Sequence, residues 1–290
     1  MSIANGLENV AQKRHQTGMA LIAVLWMVAA LGIMMAGVIH VVRGELRVVG
    51  NARLEVVNTA LADAAIRIAL RDMVVNKGNG FRAVQNRVIG IFDKQVNLKV
   101  IPLSGRIDLN SATAELLSDV MHYAGGESRQ SADNLANQIV QSRVQKSAQG
   151  EAVKLHAVED LLLLTRLNYS TYAKIKSIVT VDLNGSGRVN PLAASLDTLR
   201  VLTQGDVELA RQLYASHLSN PEFMDLTRLT TTYIETAPAA RLALQAVVRV
   251  DDGSSFMREW RVDVAEQSHG LPWRVLGMDA GRFVSAESTE

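Results

Sequence analysis

The sequence contains no cysteine. That excludes Cys-based zinc sites, redox pairs and thiol nucleophiles. It leaves the compartment open, because disulfides are optional outside the cytoplasm. Net charge is small as well, +1 at pH 7 over 290 residues, so there is no broad basic field of the kind that holds nucleic acid. Aromatic residues make up 4%, but apolar residues reach 48%, enough for a globular core in one or two domains. The histidines (His15, His40, His122, His156, His217, His269) form no ligand spacing on one helix. Gly-x-Ser-x-Gly, a Walker loop and His-Glu-x-x-His are all missing. The expectation is a protein that is not an enzyme.

One absence is local. Between Arg14 and Arg43 there is no Asp, Glu, Lys or Arg. The apolar run over 19–42 is long enough as a helix to cross a hydrocarbon core of about 30 Å. Lipid hydrates no backbone groups, so such a run has to be helical. Lys13 and Arg14 stand just before it, which predicts a cytoplasmic N-terminus. No second stretch could cross again, so residues from about Arg43 should face the far side of the membrane. A secretory signal would have about 7–15 apolar residues and then a small-residue cleavage site. Here the small residue, Gly18, precedes the run. A plain anchor would leave Gly18 incidental.

No proline interrupts the stretch from Gly44 to Val75, and Leu46, Val49, Val57, Leu61, Ala64 and Ile68 recur at near-helical spacing. The pattern predicts one helix from about 19 to 76, stopped by Asn76-Lys77-Gly78-Asn79-Gly80. Two strands follow at 87–92 and 96–101, turning at Asp93-Lys94 and ended by Pro102. Residues 106–230 read as mainly helical, with Asn110 an N-cap candidate. Gly105-Arg106-Ile107-Asp108-Leu109-Asn110 is loosely echoed by Gly187-Arg188-Val189-Asn190, which predicts two copies of a small helical unit. Strands at 241–250 and 256–264 flank Asp251-Asp252-Gly253-Ser254, a strong hairpin signal. From about Ser268 a loosely ordered tail is expected. Two strand pairs too small to stand alone can join into one sheet on the long helix, with the helical block as an insertion.

Lys13-Arg14-x-x-x-Gly18, then Met19-Ala20-Leu21-Ile22-Ala23-Val24-Leu25-Trp26, resembles the class III signal of type IV pilins and type II secretion pseudopilins. The resemblance implies cleavage by a prepilin peptidase between Gly18 and Met19 and methylation of the new amine. Most pilins carry Glu at the fifth mature position, where this chain has Ala23. A charged amine in the bilayer costs several kcal/mol unless paired, and a neighbour's Glu can pair it. A subunit without that Glu is expected to enter first and sit at the tip, which resembles the K-type minor pseudopilins.

The implied fold is α+β: a long N-terminal transmembrane and stalk helix on a small antiparallel, pilin-like sheet. A large all-helical insertion interrupts the sheet, with two helix-hairpin-helix or SAM-like repeats. The boundaries are a leader 1–18, a membrane part 19–42, a pilin-like domain 43–105 and 231–268, an all-helical insert 106–230 and a tail 269–290. Implied partners are I- and J-type minor pseudopilins, the prepilin peptidase and the inner membrane, and the insert could face the secretin or the cargo. The implied location is the inner membrane, single-pass, with the C-terminal domain in the periplasm, and no nucleic acid is expected.

Two further motifs stand beside that resemblance. The stretch 107–116 also resembles the helix-hairpin-helix of competence-type DNA receptors, whose hairpin amides hold a phosphate. Its glycines are reduced here to Gly125-Gly126, with Glu127 following. A DNA-uptake or minor type IV pilin subunit is therefore the alternative function, and an anchored periplasmic enzyme a third. Asp182, Asn184 and Ser186 match the first half of a calcium loop. The twelfth position, Ala193, lacks the bidentate carboxylate, and calcium is carried by family resemblance only.

Overall fold

One helix, α1 (Asn5–Val75), runs without a break through the expected leader and apolar stretch. The computed structural model describes residues 5–75, 80–145, 154–183, 185–219, 224–250, 253–268 and 270–284, with side chains at 21–35 and from 49 onward, Ser219 excepted. The expected helix stop at 76–79 lies outside the described residues. Two compact units divide the chain, one up to Val57 and one from Asn58 on. Among the described residues no helix is long and apolar enough to cross a membrane. Of the span expected at 19–42, only 21–35 has described side chains.

In the second unit α1 buries Ala62, Ala65, Ile66, Ala69, Leu70 and Met73 against the sheet. That corrects the expected stripe. Val49, Val57 and Ile68 are exposed, and the buried face is led by alanines. Small side chains let a strand layer approach the helix axis, so size outranks hydropathy in choosing the face.

The sheet is antiparallel. Its path is β1 (Gln85–Ile91), β2 (Lys94–Pro102), β5 (Arg241–Arg249), β6 (Ser255–Asp263) and β7 (Arg274–Met278), with β8 (Arg282–Val284) also on β6. Val96, Leu98 and Val100 alternate with polar residues along β2 and face α1 with Leu244, Ala246, Phe256, Trp260 and Val262. The first hairpin pairs Ile91 with Lys94, so its turn is Phe92-Asp93 and not Asp93-Lys94. The expected loose tail is also corrected: β7 and β8 extend the sheet, and the aromatic ring of Phe283 meets Phe256 edge-on at 5.2 Å.

β2 and β5 are neighbours, and the block between them holds a second hydrophobic core, from Ile107 to Leu229. That block contains β3 (Ile107–Asp108), α2 (Ala114–Asp119), α3 (Arg129–Val144), α4 (Asp160–Leu164), α5 (Tyr169–Ile175), β4 (Val179–Thr180), α6 (Leu196–Leu202) and α7 (Val207–Ser219). It is not all-helical, because β3 and β4 pair in parallel.

The two echoing stretches are locally alike. Asp108 Oδ1 accepts from the Asn110 amide and Asn190 Oδ1 from the Leu192 amide, both at 3.0 Å. Five residues later Thr113 caps α2 and Ser195 caps α6. The counterpart of Asn190 is thus Asp108, and Asn110 caps nothing; its amide side chain bonds Leu155 and Val181. The glycines are reciprocal too: a Cβ on Gly105 would strike the Ala193 carbonyl, and one on Gly187 the Ser111 carbonyl. The likeness ends at the helices, whose lengths differ, and two helix-hairpin-helix repeats are not shown.

α7 buries His217, its ring stacked on Tyr214 and its Nδ1 without a hydrogen-bond partner among the described residues. Burial, then the nearby Lys99 ammonium, hold its pKa below the ordinary 6.5. The unfolded chain therefore binds a proton that the folded one refuses. Stability is full above pH 6.5 and falls as pH drops from 6.5 through the lowered folded value. His217→Phe should flatten this part of a melting-temperature profile, and an unchanged slope would refute the assignment.

Candidate functional site

Among the described residues no constellation of catalytic type is assembled, and the candidate surfaces are the exposed stretch of α1 in the first unit and, separately, the block held on the sheet in the second. Every residue from 21 to 35 is exposed, including Leu21 (73%), Trp26 (72%) and Ile33 (75%). The exposure goes round the whole helix, which water does not tolerate and a lipid or helix environment does. Ala23 lies in this stretch and places no charge in it. Gly18 and Met19 lie within α1, and the Met19 side chain is outside those described.

A clasp inside the second unit fixes α1 to the sheet. Asp63 accepts from Arg258 Nε at 2.5 Å and from Trp260 Nε1 at 3.0 Å, and Arg67 lies 5.2 Å above the Trp260 ring. Helix spacing marks Asp63 only as one of many mixed charges, and nothing in a single sequence pairs it with residues nearly two hundred positions on.

The insert is docked on the opposite face of the sheet by charged groups. Arg106 Nη2 donates to both Glu259 oxygens at 3.0 Å, and Gln245 Nε2 adds a bond at 2.6 Å. Arg241 Nε meets Asp263 Oδ2 at 2.8 Å, and its guanidinium also donates to the Asp182 carbonyl. Asn190 Nδ2 reaches the Arg82 carbonyl at 2.6 Å. Arg106 and Glu259 are both largely buried, where paired charges hold geometry tightly. The insert is thus carried on the sheet through several directional bonds, not hung from a flexible linker.

Among the described residues, the calcium-loop candidates Asp182 and Ser186 point to different partners. The Asp182 carboxylate takes Arg261 Nη1 at 2.5 Å, and the Ser186 hydroxyl bonds Glu235. Asn184 lies outside the described residues, and Ala193 offers only backbone in a buried turn. The described members of this donor set, Asp182 and Ser186, are already engaged by protein groups. Nearby, Asp108 is buried with its pKa raised, chiefly by desolvation. It holds Asn110 and Ser111 and faces a cleft of about 530 Å³.

The hairpin after α2 is equally committed. The amides of Gly125, Gly126 and Glu127 already bond the carbonyls of Val120, His122 and Met121 at 3.0–3.2 Å. The Glu127 carboxylate takes Thr171 and Ser131. Amides satisfied in this way are closed to a phosphate.

No family model and no curated protein matches the chain. Among solved structures it is similar to a chain of the GspK-GspI-GspJ complex from the type 2 secretion system of enterotoxigenic Escherichia coli. The identity is 13% and the TM-score 0.50, over 82% of this chain and 99% of that one. The chain has a GspK-like fold.

Proposed function

We propose that the chain is a K-type minor pseudopilin of a type II secretion system, acting by binding and not by catalysis. The GspK-like fold carries this reading. Support comes from the sequence of the N-terminus, where Gly18 precedes a charge-free run, and from the all-round exposure of 21–35. In this reading the run over 19–42 enters the inner membrane and the sheet and insert face the periplasm. The partners are I- and J-type minor pseudopilins, with the prepilin peptidase as processing enzyme. The absence of a carboxylate at Ala23 favours first entry and a place at the tip. The insert, docked by its arginine pairs, would then leave no room for a subunit above it and could face the secretin or cargo.

The mature N-terminus tests this directly. Mass spectrometry of the chain coexpressed with a prepilin peptidase should find N-methylated Met19, and Gly18→Val should leave the chain intact from Met1. An unprocessed wild-type chain would remove the pilin reading. Copurification of I- and J-type partners with the wild-type chain is the second expected result.

A further inference from the structure

We propose that Phe92, at the tip of the β1–β2 hairpin, is an anchor that inserts into an apolar pocket with a cationic rim on a partner minor pseudopilin. The inference rests on the pseudopilin reading above and names the side chain through which a partner is held. Phe92 carries two unfavourable features at once. Its φ is +52°, and Ile91 pairs with Lys94, so it is the first residue of a two-residue hairpin loop. Such loops need φ > 0 at that position, which suits glycine. A bulky residue there is a rare exception and is strained. Its side chain is also 99% exposed. A ring so exposed packs on nothing that could offset the strain. Strain held without local compensation marks a residue kept for a contact made elsewhere.

The ring is presented rigidly. β1 and β2 pair without a shift from Gln85 and Val100 to Ile91 and Lys94. β2 pairs in turn with β5, and Ile91 and Val96, on either side of the loop, are buried. A fixed backbone carrying a side chain with two rotatable bonds loses little entropy on docking, as aromatic anchors do. The neighbouring charges choose between occupants. Asp93 is exposed beside the ring, whereas Lys94 is half-buried and already engaged. An anionic lipid surface attracts apolar anchors set among basic residues and repels a carboxylate. A Lys or Arg at the rim of a protein pocket attracts it. The fitting partner therefore offers an apolar pocket one phenyl ring wide, with a cation where Asp93 arrives.

The test uses the full chain in detergent with I- and J-type minor pseudopilins as the probe. Phe92→Gly should raise Tm by about 2 °C, because glycine relieves the strained φ. The same variant should bind the partner about thirtyfold more weakly. Phe92→Trp should keep most of the affinity, and Asp93→Lys should lower it about threefold. A Phe92→Gly chain that is more stable and yet binds as wild type would overturn the proposal and leave the pseudopilin reading standing. A wild-type chain that binds neither subunit would remove both. Photo-cross-linking from p-benzoylphenylalanine in place of Phe92 identifies the occupant without relying on a weakened variant. An adduct with an I- or J-type subunit is expected. An adduct with lipid alone, with a second copy of the chain, or with nothing would each overturn the proposal.

Discussion

Gly187→Ala is expected to lower the unfolding free energy by about 3 kcal/mol, in a urea titration followed by tryptophan fluorescence. Two effects add. Gly187 has φ +77°, a left-handed backbone that costs a residue with a Cβ about 1–2 kcal/mol. The new methyl would also strike the Ser111 carbonyl, which is backbone and cannot swing aside, and overpacking of this kind adds about 1–3 kcal/mol. Gly185→Ala is the control, since a Cβ there meets nothing within 4 Å, and it should stay within about 0.5 kcal/mol of wild type. A Gly187→Ala loss below about 1 kcal/mol would mean that the two echoing segments do not pack backbone to backbone.

Asp63→Ala is expected to cost about 2–3 kcal/mol. It strands the Arg258 guanidinium, 15% exposed, and leaves the Trp260 indole N–H unpaired. An unpartnered buried charge is more costly than the pair was worth. The figure stays below the fully buried range because Arg258 keeps a bond to the Asp279 carbonyl. Asp63→Asn retains an acceptor for Trp260 and should lose about half as much. The Trp260 emission should shift red in Asp63→Ala before global unfolding. An unmoved denaturation midpoint would show that apolar contacts alone seat α1.

The features legible in the sequence were those governed by local rules. The missing prolines gave an unbroken α1, alternation gave β2 and β5, and Asn190 did cap a turn. Long-range features were hidden. Ala62, Ala65 and Ala69 look weaker than Val57 or Ile68 until a sheet is brought close enough to need small residues. β7 and β8 carry exposed Arg274, Met278 and Phe283, a pattern that reads as loop without β6 beside it. Asn110 fits an N-cap rule as a sequence, but its side chain is claimed by the distant Leu155 and Val181, and Asp108 takes the Asn110 amide instead. Of the candidate site, the exposed run and Ala23 were visible in the sequence. The arginine pairs that hold the insert join positions up to 153 apart and were not.

The placement of the insert also sets an order of events in folding. Pro102 pairs with Leu242, so the two central strands meet only after nearly half the chain has been looped out. Closing a flexible loop of that length costs about 4 kcal/mol of chain entropy. A block that folded first would shorten that loop and lower the cost of bringing Pro102 beside Leu242. The assembly rate of the sheet should accordingly follow that of the insert. Gly187→Ala, a lesion inside the insert, is then expected to slow refolding as well as to lower stability, in stopped-flow refolding followed by tryptophan fluorescence.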